Sequence, residues 1–288
     1  MRMKGLAMVA VMALSLLTTV TLDAQRAAAA PGAPDLKSTL RNAAEALVML
    51  RGAQLQDSIS TMEFWATGTT SVIPEGYKPG APLPAFKITA YHGAIGYDPP
   101  GGMRVDFTRT NPDGATPQHQ ILVVAGKYAW NEARYGMDAT PAMETANNRL
   151  LQLWMTPAGV VKAARNAGDK TKVSVEGANT VLTFPVGTTM VKATLNARNF
   201  IDRVEARVKH PVLGDTILET TYSDYGDWNE AGYKSDVMFP RHIVQKIGGL
   251  PILNLTITKT NTQNPYVVFP VPENVEKAAA ERPATPRS

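Results

Sequence analysis

The first regular pattern in the chain is a run of apolar residues spaced three and four apart between residues 35 and 55. That spacing is typical of an amphipathic helix with one buried face. Asp35 is a good helix N-cap, and Gly52 lies near the end of the pattern. We therefore predict an N-terminal helix over residues 35–55. Its buried positions are Leu36, Leu40, Ala43, Ala44, Leu47 and Leu50.

Beyond this helix, apolar and polar residues alternate over residues 62–66, 86–90 and 103–107. A period of two is typical of strands with one apolar face. The connections at residues 74–84 and 98–102 are rich in Pro and Gly, which favours surface loops. The pattern predicts a meander of antiparallel strands.

The middle of the chain combines a hairpin with two helices. Residues 121–124 are apolar at successive positions, which predicts a hairpin covered on both faces. Helical spacing over residues 143–154 predicts the helix that covers the second face. Thr156 and Pro157 are typical of the cap and first residue of another helix, which reaches Ala167.

The rest of the chain alternates strand patterns with turn residues. Turns of this length suit hairpins, so neighbouring strands are expected to pair antiparallel. The expected fold class is mainly β (α+β), an open curved antiparallel sheet or half-barrel of about ten to twelve strands with an N-terminal helix and a central helical insert. The predicted strands of this half are 172–176, 180–185, 189–195, 201–210, 216–225, 237–246 and 252–259.

The two ends of the chain differ from the part between them. Residues 1–24 begin with positive charges and continue as an apolar stretch, which is the pattern of a secretory signal peptide with cleavage after residue 24 or as late as 30. Residues 35–275 are the expected single domain. Residues 276–288 lack periodicity, so we expect a disordered tail or linker there.

Composition narrows the function classes. The absence of cysteine excludes disulfides, thiol nucleophiles and Cys-ligated zinc. The formal net charge is +4, and basic residues are interspersed with acidic ones, as over residues 203–209. A balance this mild argues against a nucleic-acid partner. No stop-transfer charges follow the apolar stretch of the signal pattern, so no integral membrane segment is expected after its cleavage.

Residues that commonly carry catalysis are sparse. His92, His119, His210 and His242 show none of the spacings of zinc sites. No nucleophile elbow, phosphate loop or dinucleotide fingerprint follows a predicted strand. We therefore predict no catalytic residue, no metal site and no cofactor. The acidic residues gathered over 224–236 predict a polar hairpin loop.

The aromatic residues of the first strands share one apolar parity, so we expect them on one sheet face. One interpretation is an ordinary core beneath the first helix. The other is a concave apolar surface, partly closed by helices, that admits an acyl chain. The candidate ligand-binding residues are Met62, Phe64, Phe86, Ile88, Val105, Phe107 and Trp154.

Two resemblances extend over residues 36–275. The sequence Tyr-Ser-Asp-Tyr at 222–225, followed by residues 237–245, resembles the late hairpin of lipoprotein-carrier-like proteins of the outer-membrane lipoprotein-sorting type. That family has an open half-barrel sheet with helices over its concave side. Residues 151–157, 211–215 and 239–256 are similar to the region preceding the catalytic domain in secreted metallo-β-lactamase-fold hydrolases. Their His-x-His-x-Asp-His motif has no match in this chain, so the resemblance does not imply hydrolysis.

The sequence therefore leaves two hypotheses about function open. The first is an exported binding or accessory module of the bacterial envelope, periplasmic or secreted, whose partner is an apolar ligand such as an acyl chain or another envelope protein. The second is the stand-alone accessory domain of a zinc hydrolase, which the linker-like tail after residue 276 favours.

Overall fold

The first helix ends earlier than its sequence pattern predicts. Helix α1 (Leu36–Ala46) is capped by the Asp35 carboxylate, which accepts the N–H of Ser38 at 3.0 Å. Val48 has a φ of 56°, a left-handed conformation that stops the helix. The predicted end at residue 55 is wrong because the apolar residues 47–50 are consecutive and do not keep to one helical face. The computed structural model describes residues 34–53, 56–111, 113–114, 116–228 and 237–281, so the signal pattern lies outside the described residues.

One sheet of thirteen strands contains nearly all the β-structure of this part of the chain. Every strand pairs antiparallel with its sheet neighbours, as predicted. A small separate hairpin joins β1 (Leu50–Arg51) to β2 (Gln56–Asp57). The strands of the first half are β3 (Thr61–Ser71), β4 (Ala85–Gly96), β5 (Gly102–Thr110), β6 (Pro117–Ala125), β7 (Tyr128–Arg134) and β8 (Met137–Pro141). Those of the second half are β9 (Lys172–Glu176), β10 (Asn179–Val186), β11 (Thr189–Leu195), β12 (Ile201–His210), β13 (Gly214–Asp227), β14 (Met238–Ile247) and β15 (Leu250–Thr262).

The strand order consists of two meanders placed side by side. The first runs from β3 to β8 and the second from β9 to β15, and they join where β3 pairs with β15. Strands β8 and β9 are the two edges, so the sheet is open. The central helical insert connects these edges, as the sequence predicts. It consists of a 3₁₀ turn (Met143–Thr145), α2 (Ala146–Trp154), α3 (Pro157–Ala167) and a second 3₁₀ turn (Gly168–Lys170).

Helices α1, α2 and α3 share one core with one face of the sheet, which we call the helix face. The sheet curves around the junction of α2 and α3. Tyr97, just after β4, hydrogen-bonds the hydroxyl of Thr156 at 3.0 Å, and Tyr222 on β13 donates to the adjacent Met155 carbonyl at 2.9 Å. In a flat sheet these strands would lie about 19 Å apart with parallel side chains. Their convergence on neighbouring residues requires a concave helix face.

The opposite face, which we call the outer face, is covered at one end by the C-terminal segment (residues 264–281). A second apolar cluster joins Val123 and Trp130 of the β6–β7 hairpin to Val275. Val275 belongs to helix α4 (Glu273–Ala280). Two predictions are therefore wrong. The second face of the hairpin is covered by α4 and its approach, since α2 lies on the helix face, and residues 276–280 are helical because Val275 anchors them. Residues 282–288 lie outside the described part.

Candidate functional site

A row of four aromatic rings crosses the helix face. Phe64 of β3 lies 5.4 Å from Phe239 of β14 and 5.7 Å from Tyr91 of β4, and Tyr91 lies 6.1 Å from Phe107 of β5, measured between ring centroids. Pairing of Tyr91 with Phe107 across β4 and β5 sets the last step. Gly93 allows the row to form, because a Cβ there would meet the Phe64 ring at 2.5 Å. We call these four residues the aromatic row.

An extra residue in β4 decides which side chains join this face. Tyr91 pairs with Ala66, but the next pair along the ladder joins Ile88 to Gly68, so β4 advances three residues while β3 advances two. This bulge brings the even-numbered Phe86 and Ile88 to the same face as the odd-numbered Tyr91. Simple alternation placed Ala90 with them, but Ala90 is exposed.

The predicted site residues on this face divide into a closed and an open group. Met62 and Ile88 are 2% and 1% exposed and belong to the packed core, and Phe64 is 7% exposed. Val105 and Phe107 keep partial exposure, as does Phe86. The aromatic row is therefore buried at Phe239 and Phe64 and opens toward solvent along β5. We call Phe86, Tyr91, Val105 and Phe107 the open strip.

A polar cluster lies at the end of the open strip. Arg109 of β5 pairs with Ile88 and so belongs to the helix face. Its guanidinium carbon lies 4.4 Å from the centre of the Phe86 ring, and its Nε donates to Gln118 Oε1 at 3.0 Å. Gln118 in turn donates to Asn111 at 3.1 Å. Desolvation lowers the pKa of Arg109 from its ordinary value.

The structure places Trp154 at the opposite end of β5 from Phe107. Its indole lies against Gly101, where a Cβ would approach it to 2.9 Å, and its centre is 6.4 Å from the ring of Tyr97. Gly101 precedes β5, so the indole is about 20 Å from Phe107 along the strand. Trp154 also lines a groove of about 550 Å³ between the central helices and the β10–β11 turn, together with Leu150, Ala163 and Val186.

A third concave region lies on the outer face, and sequence reasoning missed it. A cleft of about 480 Å³ opens where β4, β5 and β6 meet the C-terminal segment. Its floor contains Gly96 and Gly102, both in contact with the Phe269 ring, and Val267 and Val271 line it from above. The alternating apolar residues Val267, Phe269 and Val271 were the sequence signal that could have indicated this contact.

The outer face also carries buried charges. Glu63 accepts hydrogen bonds from Asn261 at 3.0 Å and Asn264 at 2.8 Å, and its other oxygen is 3.1 Å from the His92 ring. Glu132 forms a two-bond pair with Arg104 at 2.9 and 3.1 Å. Both oxygens of each carboxylate are occupied by protein groups. We therefore assign these contacts a structural role, in which they connect neighbouring strands. Within the described residues, no group of three His, Asp or Glu side chains is arranged to hold a metal ion.

Comparison with known proteins adds a likeness of fold. No family model and no curated protein matches the chain. It is similar to the crystal structure of a LolA superfamily protein from Nitrosomonas europaea, with a TM-score of 0.39 and 13% identity over 84% of this chain and 97% of that one. At this level the likeness says nothing about ligands. The similarity to the region preceding metallo-β-lactamase-fold domains stays a prediction.

None of the helices in the described ranges is long and apolar enough to cross a bilayer.

Proposed function

We propose that this protein is an exported binding module, periplasmic or secreted, that takes one apolar chain such as an acyl chain on the open strip. The observation that carries the proposal is the gradient of burial along the aromatic row. Large apolar rings that are partly exposed on a concave face lose water when an apolar chain covers them, which favours binding.

The closed half of the row supports this assignment by making the site rigid. Phe64 and Phe239 are packed in the core beside Met62 and Ile88, so they hold Tyr91 and Phe107 in place through ring contacts. A preformed apolar surface gives up little conformational freedom on binding. The N-terminal signal pattern is the basis for proposing export. We expect the mature protein to begin between Gln25 and Pro31, which N-terminal sequencing would test.

Titration with a fluorescent fatty acid tests the binding proposal, using two matched variants. Phe107→Asp places a carboxylate on the open strip, where covering it with an acyl chain costs several kcal/mol, so we expect binding to be lost. Thr108→Asp adds the same charge to the adjacent residue of β5, which faces the other way. That variant should bind as the wild type does. Thermal melting of both variants checks that they fold.

The groove beside α2 and the outer-face cleft provide contrary outcomes. Loss of binding in Trp154→Ala but not in Phe107→Asp would place the ligand in the groove beside α2. Loss in Val271→Asp alone would place it in the outer-face cleft. Either result would overturn the assignment to the open strip. No saturable binding by a folded wild-type protein would overturn the proposed function itself.

A further inference from the structure

Arg109 stands out on the helix face because of its charge. The register of β3, β4, β5 and β6 brings apolar or uncharged polar side chains to this face at the other positions, and within these described strands Arg109 is the one charged residue on it. Its neighbours there are the Phe86 ring and the amide of Gln118. A lone guanidinium beside an apolar strip is costly to desolvate unless an anion compensates it.

The geometry leaves Arg109 able to bind such an anion. A guanidinium has five N–H donors, and in the described structure only Nε donates to a protein group, the Gln118 oxygen. The hydrogen bond to Gln118 and the Phe86 ring fix the plane of the guanidinium, while its two terminal nitrogens remain as a fork. Two parallel donors in one plane match a carboxylate or a phosphate.

We infer that Arg109 binds the anionic head group of the ligand, so that the module selects single-chain amphiphiles with a carboxylate or phosphate over uncharged ones. The inference rests on the proposed function, since the apolar chain of the same ligand occupies the open strip. Phe86 belongs to both parts of the site: its ring contacts the guanidinium and contributes to the strip. Desolvation of Arg109, which already lowers its pKa, makes its attraction to an anion stronger than it would be in open water.

Displacement of the bound fluorescent fatty acid tests the inference with two ligands of one acyl chain. One is a lysophosphatidic acid and the other is the corresponding monoacylglycerol, each below its micelle concentration. We expect the phosphate-headed ligand to bind the wild type about tenfold more tightly, as a charge-assisted hydrogen bond at a partly exposed site implies. Arg109→Gln should lower the affinity for the phosphate-headed ligand to that for monoacylglycerol, which removes the preference.

A charge-matched control is available on the neighbouring strand. Lys87 of β4 is exposed and pairs with Thr110, next to Arg109, but on the outer face. Lys87→Gln removes the same charge and should keep the preference for phosphate. If it weakened the preference as much as Arg109→Gln does, the effect would be one of net charge and the inference would be wrong.

The remaining outcomes separate this inference from the proposed function. Equal affinity of the two ligands for the wild type would overturn the head-group role while leaving the apolar site intact. Absence of binding by both would overturn the proposed function. Inorganic phosphate serves as a chain-free anion, and it should not displace the probe at millimolar concentration. If it binds with Arg109-dependent affinity equal to that of the lipid, the site takes a free anion and the inference is again wrong.

Discussion

Single residues hold the helices against the concave face. Tyr222 is 5% exposed, and its hydroxyl donates to the Met155 carbonyl at the junction of α2 and α3. Met155 is itself 1% exposed, so no water replaces this donor readily. The bond therefore connects the insert to β13 at a buried point, where an unsatisfied carbonyl is expensive.

Replacing Tyr222 by Phe should lower the free energy of unfolding by about 1 to 3 kcal/mol, because the Met155 carbonyl loses its donor. Burial raises the pKa of Tyr222, so its stabilising effect is complete below the ordinary tyrosine pKa of about 10 and is lost as the pH rises above it. Urea unfolding between pH 8 and 11 should show a shallower decline for Tyr222→Phe than for wild type. Tyr266→Phe, at a residue that is 84% exposed, is the control. A wild-type slope in Tyr222→Phe would contradict this account.

The alternation of apolar and polar residues predicts the site residues of β3 and β5 but not all of those of β4. On β3 and β5 the period of two is unbroken, so the parity of Phe64 and Phe107 follows from the sequence alone. On β4 the bulge adds one residue between Ile88 and Tyr91. Apolar periodicity carries no mark of such an insertion, so Tyr91, the centre of the row, was missed. Arg109 was missed as well, because the apolar pattern of β5 ends at Phe107 and a charged residue does not continue it.

Among the elements, the C-terminal segment departs most from its prediction. Its helix is short and half of its residues are polar, and only Val275 is fully buried, so helical periodicity alone could not have revealed it. The contact that stabilises it lies some 150 residues away in sequence, at Trp130. Asn274 adds a hydrogen bond of 2.7 Å to the Ala139 carbonyl of β8. Long-range contacts of this kind are invisible to a local pattern, whereas the local hairpins of β9 to β13 were predicted closely.

Val275→Asp should detach α4, because burying a carboxylate in the cluster around Trp130 costs several kcal/mol. Backbone amides of residues 264–281 and of the β6–β7 hairpin should then exchange hydrogen faster, by mass spectrometry, while those of β10 to β13 keep their protection. Glu276→Gln changes the next, exposed residue and should have no effect. Unchanged exchange in Val275→Asp would show that the segment is held by other contacts.

At the scale of the whole molecule, the sequence predicted an open antiparallel sheet with a helical insert, and the structure has both. What it could not predict was which strands become edges. Hairpin turns specify pairs of neighbours, but the pairing of β3 with β15 and the separation of β8 from β9 follow from how the two meanders wrap around α2 and α3. That arrangement depends on packing between distant residues, which the turns do not encode.

Because the two meanders meet at the β3–β15 ladder, the chain can be divided into two fragments that each contain one meander. Each meander has all its hairpins within its own stretch of chain. This ladder, the helical insert and the packing of the C-terminal segment on the β6–β7 hairpin connect the two. Cleavage in the exposed turn at residues 168–170 would therefore yield two fragments that each contain a complete run of paired strands. We expect the two fragments to reassemble into one sheet when mixed. The unpaired backbone N–H and C=O groups along β3 of one fragment would pair again with those along β15 of the other. Co-elution of the fragments in size-exclusion chromatography, lost on replacing the paired Ile257 of β15 by Pro, would establish this behaviour; separate elution would refute it.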